Sequence, residues 1–171
     1  MPQGARKPAV QILKWLLLVV AALALLVLLA AQLGAFSGTA PDHLGVRDGK
    51  LRAPSKTPNS VSSQADLWPQ HPMQDYARIA PLALRGSGPE TIARIRQIVA
   101  AMPGAKVVQA RDDYLYVQFT TRWMKFVDDA EFWFDPAAGV VQVRSASRVG
   151  RKDFGVNRAR IEAVRQALAA G

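Results

Sequence analysis

The sequence predicts an α+β fold: a single N-terminal transmembrane helix, then an antiparallel β-meander of about four to five strands covered by two helices. Three observations carry that expectation. Residues Trp15–Ala31 form an apolar run with no charge, proline or glycine. Between 106 and 147, four segments rich in β-branched and aromatic residues are separated by turn signals. Two stretches with apolar residues at helical spacing flank them, as a layered domain requires.

As a helix, Trp15–Phe36 is about 33 Å long, against a hydrocarbon core of about 30 Å. It is apolar on every face, so it offers no stripe for packing on a soluble core. Arg6, Lys7 and Lys14 precede it, and no acid occurs before Asp42. Basic flanks stay in the cytoplasm, so residues 1–14 are expected inside and residues 37–171 on the periplasmic side of an inner membrane. The rival is a cleaved signal peptide, whose apolar region is typically only about 7–15 residues. Its cleavage signals here are poor: Ala40 is followed by Pro41, and a cut after Ala35 puts bulky Leu33 at the third position before it. The chain has no cysteine, which excludes a lipid-modified N-terminal cysteine and any disulfide.

Residues 37–66 read as a tether or extended segment, with Gly38, Pro41, Gly45, Gly49, Pro54 and Pro58 and no periodic apolar pattern. Residues 67–171 hold the α+β domain. An extended piece is expected around Tyr76–Leu84, limited by Pro81 to an edge. The clearest helix follows: Ser87 and Glu90 have capping-box spacing, Pro89 sits at its first turn, Ile92, Ile95, Val99 and Met102 share a stripe, and Pro103-Gly104 stops it. Strands are expected at Lys106–Ala110, Tyr114–Thr121, Phe126–Phe134 and Val140–Ser147. Short reversals at Asp112-Asp113 and Pro136–Gly139 imply an antiparallel order. A last helix runs from about Arg158 to Ala170 and buries Ile161, Val164 and Leu168. Asn157 is its expected N-cap, with Val156 and Ile161 at staple spacing.

The strand Phe126–Phe134 places Asp128 on the face of its phenylalanines, and Asp129 and Glu131 on the other. A carboxylate there needs solvent or a partner. With a Pro136–Gly139 loop, Glu131 faces Arg144 and Asp128 faces Ser147. From Arg144 onward, seven cations meet only Asp153 and Glu162. Arg158 and Arg160 lie in a first helical turn, where the macrodipole disfavours cations. Two readings answer this. Asp128, Asp129 and Glu131 pair with the arginines as a structural network, or an anion binds at the helix start, held by Arg144, Ser145, Ser147, Arg148, Asn157 and Arg158.

The net charge of +9 remains clearly positive beyond the anchor. No helix-turn-helix, finger or ribonucleoprotein motif is present, and the expected location argues against nucleic acid. An anionic lipid or glycan suits the charge better, while protein partners are unspecified. No cofactor motif is present, and His43 and His71 lack structural zinc spacing, so neither cofactor nor metal is expected. The alternative in another class is a hydrolase using Ser62 or Ser63 with His71, but no nucleophile-elbow motif frames either serine. A binding or structural module is the preferred expectation over an enzyme.

The segments PSKTPNSVSSQ, HPMQDYARIAPL, KFVDDAEFWFD and RSASRVGRKDFGVNR together resemble the domain-of-unknown-function family 1499 over residues 45–168. The resemblance implies a small bacterial or plastid protein, often exported or membrane-attached, and implies no activity. Relatives often carry cysteine where this chain has Ser60, so a thiol role at that position is closed to it.

Overall fold

The computed structural model describes residues 6–171. Helix α1, Arg6–Gln32, is the long apolar element; its stretch Pro8–Gln32 is long and apolar enough to cross a membrane, and residues 8–29 of it are exposed. The first five residues of the expected cytoplasmic segment 1–14 lie outside the described part.

One antiparallel sheet organises the rest. Its strands are β1 (Ser60–Ser62), β2 (Leu82–Ala83), β3 (Ala105–Ala110), β4 (Tyr114–Thr120), β5 (Val127–Asp135) and β6 (Val140–Ser147). The order is β1-β6-β5-β4-β3, and β2 pairs further along the same edge of β6. The α+β meander is therefore as expected, with the two short strands raising the count to six. Glu131 lies opposite Arg144 and Asp128 opposite Ser147, the register that a Pro136–Gly139 reversal dictates. The edge strand β3 is largely exposed and carries an irregularity between Val107 and Gln109, which interrupts further pairing at that edge.

Helices α3 (Gly88–Ala100) and α4 (Val156–Ala170) cover one face. Ile92, Ile95, Val99, Ile161, Val164 and Leu168 pack there against Leu115, Val117, Phe132, Val141 and Val143. Burying such side chains contributes roughly 1.5–3 kcal/mol each. The capping box forms: Ser87 accepts from the Glu90 backbone, and the Glu90 carboxylate accepts from the Ser87 backbone. That backbone contact, with the Ser87 hydroxyl, holds the Glu90 carboxyl below its ordinary range.

Two local expectations are corrected. The extended piece at Tyr76–Leu84 begins instead with a helical turn α2, Gln74–Ala77, and only Leu82–Ala83 is strand. The last helix starts at Val156 with Gly155 as N-cap, so Asn157 lies inside it and Val156 points to solvent without forming a staple. Residues 37–66, read as a tether or extended segment, are held against the domain. Ser60–Ser62 enter the sheet as β1, and residues 44–51 form a strap across the second face, where Leu44, Val46 and buried Leu51 pack on Tyr114, Tyr116 and Trp133. Polar contacts hold the strap: Gln64 Oε1 accepts from Leu51 N at 2.8 Å, and Gln64 Nε2 donates to Gly49 O at 2.9 Å. The sheet is thus covered on both faces, by helices on one and by the strap on the other.

Candidate functional site

The strand alternation that separates Asp128 from Glu131 splits the polar cluster into two networks on opposite faces of the sheet. On the helix side Asn157 is the hub. Its Nδ2 donates to Asn59 O (3.2 Å), Ser147 Oγ (3.0 Å) and Asp153 Oδ2 (2.9 Å), and its Oδ1 accepts from Ser145 Oγ and from Arg160 NH1. Asp153 Oδ2 also accepts from Asn157 N, and Oδ1 accepts from Gly155 N and the Tyr76 hydroxyl. The negative charge at this helix start is therefore the chain's own Asp153, which answers the macrodipole from within. Burial pushes the Asp153 carboxyl up, but the hydrogen bonds from Tyr76, Gly155 and Asn157 outweigh it and hold the group below its usual value.

The two arginines of the first turn also find internal partners. Arg160 reaches Asp128 at 2.6 Å and lies over the Phe119 ring, which explains how a carboxylate survives among phenylalanines. Arg158 turns outward and donates to Tyr76 O and Arg78 O. Ser145, Ser147 and Asn157 thus spend their polar groups on one another and on neighbouring chain, and Arg158 spends its own on backbone carbonyls.

On the strap side, Asp129 takes a bidentate pair from Arg148, both contacts at 2.8 Å, and accepts from the Tyr116 hydroxyl. That carboxylate raises Arg148 above its ordinary pKa. Glu131 is fully buried; its Oε1 accepts from Gly45 N at 2.7 Å and from the Tyr114 hydroxyl at 2.8 Å. Burial, reinforced by the Glu131 charge, pushes the Tyr114 phenol far above its usual value, so it stays a donor.

Arg144 differs from the others. It is 3 % exposed, and its Nε donates weakly to Ala53 O at 3.3 Å. Its NH1 stands 3.7 Å from Glu131 Oε2, and neither of these two buried atoms has a hydrogen-bond partner. Burial pulls its pKa down despite the nearby carboxylate. Arg144 lines a cleft of about 780 Å³ between the sheet and the chain on either side of the strap, together with Arg52, Lys56, His71 and Arg148. Two carboxylates, Asp42 and Asp129, share the cleft, and Asp129 is committed to Arg148. The result is a concave cationic surface whose deepest guanidinium is under-satisfied.

The sheet therefore divides the six residues expected around one anion: Ser145, Ser147 and Asn157 lie on the helix side, Arg144 and Arg148 on the strap side, and Arg158 near α2. Arg52 and Lys56 had no sequence signal as site residues, because the segment that carries them meets Arg144 only through Ala53, 91 positions away. Asp153 had one, a lone acid just before a helix start. Ser63 Oγ is tied to Gln142 Oε1 and Val143, and Ser62 Oγ accepts from Gln64 N. His71 Nδ1 accepts from Met73 N, and among the described residues no hydrogen bond joins either serine to it. Ser60 is buried and its hydroxyl accepts from Ser55 N.

Compared with known proteins, residues 50–168 match the family model described as "Protein of unknown function (DUF1499)". The chain belongs to that family, and the match covers the sheet, both covering helices and the end of the strap. No curated protein and no solved structure matches it.

Proposed function

We propose that this chain is a membrane-anchored binding module, held by α1 on the periplasmic face of the inner membrane, that takes an anionic group in the Arg144 cleft. The observation that supports this most is the unpartnered NH1 of buried Arg144. A guanidinium taken out of water without full hydrogen bonding costs several kcal/mol, and an oxyanion entering the cleft would relieve that cost. Arg52 and Lys56 at the rim add attraction, while Arg148 is held in place by Asp129. The ligand set moves accordingly from the helix start to Arg144, Arg148, Arg52 and Lys56. Phosphate-bearing lipid headgroups and glycans share the required chemistry, and the anchor raises their local concentration.

The test is a binding panel on the full chain in detergent, using inorganic phosphate, phosphatidylglycerol and a phosphoglycan. Arg52→Ala combined with Lys56→Ala removes two exposed rim cations, at the loss of one long contact from Arg52 to Asp42 O (3.4 Å). It should weaken binding about tenfold or more, the loss of roughly 1.4 kcal/mol or more of charge-assisted contact. No saturable binding by wild type, or equal binding by the double variant, overturns the reading.

A further inference from the structure

The turn between β4 and β5, residues 121–126, joins the end of the apolar helix to the domain. Gln32 Nε2 donates to Trp123 O at 2.9 Å, Ser37 Oγ donates to Lys125 O at 3.2 Å, and the rings of Phe36 and Phe126 stand 5.8 Å apart. Ala31 is fully covered, unlike the apolar residues before it in α1. The chain then has little slack. At Gly38 an added Cβ would come within 2.7 Å of Val149 and 2.8 Å of Arg148, so the backbone is already pressed on the domain six residues after the helix ends. Six residues span at most about 22 Å.

This turn also leaves apolar side-chain surface open. Trp123 is 63 % exposed and Phe126 is exposed, and the Arg122 guanidinium lies 4.9 Å over the Trp123 ring. The segment Thr121–Phe126 contains two cations and no acid. Beside it lies a hollow of about 600 Å³ lined in part by Thr121, Arg122, Lys125 and Arg160, the last already paired with Asp128. An exposed tryptophan beside cations, bonded to the last residue of a membrane-length helix, has the composition of an interfacial anchor. The interfacial layer is about 5–7 Å thick on each side of the hydrocarbon, within reach of one glutamine side chain.

We propose that residues 121–126 form a second membrane contact: Trp123 and Phe126 enter the interface, and Arg122 and Lys125 take the phosphates of anionic headgroups. The domain is thereby docked on the bilayer with the β4–β5 turn down, and the β5–β6 turn, at the other end of β5, points into the aqueous phase. The proposal rests on α1 being a membrane span and is independent of the Arg144 cleft.

The absence of cysteine makes the test clean. Full-length chain carrying a nitroxide on Trp123→Cys, Ala138→Cys or Leu23→Cys is placed in nanodiscs of phosphatidylcholine, with or without phosphatidylglycerol. Accessibility to oxygen and to a water-soluble nickel chelate is then compared at each site. The expected result is oxygen-dominated exposure at 23 and 123 and chelate-dominated exposure at 138. Phosphatidylglycerol should deepen position 123, and Arg122→Ala with Lys125→Ala should abolish that deepening. A chelate-dominated signal at 123 while 23 stays buried in lipid overturns the docking alone. The same signal at 23 removes the anchor itself. Dipolar broadening at 123 that grows with the number of chains per disc identifies a second copy as the occupant, and also overturns it.

Discussion

Arg144 NH1 and Glu131 Oε2 stand 3.7 Å apart beneath the strap, both buried and neither hydrogen-bonded. The pair is close enough to attract but too far to bond, so it recovers only part of its desolvation cost. Removing one member leaves the other charge stranded. Arg144→Met or Glu131→Gln should each destabilise the domain, Arg144→Met by about 3–5 kcal/mol because it isolates a buried carboxylate. The double variant should cost less than the two singles together. Urea unfolding of the full chain in detergent measures this, and simple additivity would mean the two charges do not sense each other.

What the sequence disclosed follows how local each signal is. The bounds of β6 were legible to the residue, and α3 was legible from Ser87, Pro89 and Glu90, because cap chemistry and strand alternation act over a few positions. The strap was not, since Leu44, Val46 and Leu51 are too few and too unevenly spaced to show a period. Asn157 illustrates the same limit. An Asn before a helical pattern reads as an N-cap, whereas its side chain is a buried hub whose partners include Asn59, 98 positions away. The division of the candidate site has a similar origin: alternation assigns Asp128 and Glu131 to different faces, yet sequence proximity alone groups Arg144 with Ser145.

Asn157→Asp tests that hub. The substitution keeps the shape but replaces a donor with an acceptor 2.9 Å from Asp153 Oδ2. At neutral pH it should destabilise the chain by about 1–3 kcal/mol, through loss of the amide's hydrogen bonds to Asn59 O and Ser147 Oγ and through like-charge repulsion with Asp153. The new carboxyl has a raised pKa in the folded state, so its protonated form is favoured there. The deficit should therefore shrink as pH falls from 7 toward 4. Thermal melts across that range check it, and a pH-independent deficit contradicts the charge argument.

Asp153 gives the opposite sign. Its folded pKa lies below its ordinary value, so its carboxylate contributes stability that is fully present above the unfolded pKa. That contribution is lost as pH falls through the folded value. Asp153→Asn should cost about 1.5–3 kcal/mol near neutrality, by weakening the hydrogen bonds from Tyr76, Gly155 and Asn157. The gap between wild type and variant should close below about pH 4. Unfolding curves of both proteins between pH 7 and 3 would expose a constant gap, which would place the contribution in shape alone.

Topology is open to the most direct measurement. Arg6, Lys7 and Lys14 flank one end of the apolar run and no acid precedes Asp42, so the positive end is expected to stay in the cytoplasm. The helix Pro8–Gln32 has 25 residues, more than the roughly 20 needed to cross the hydrocarbon core. A signal-peptide apolar region is typically shorter, at about 7–15 residues. A reporter that fluoresces only in the cytoplasm, fused after Gly171, should therefore stay dark, and N-terminal sequencing of the membrane-extracted protein should begin before residue 30. A bright reporter reverses the orientation. A sequence beginning beyond residue 32 instead means that the helix is removed, and with it the contact between Gln32 and Trp123.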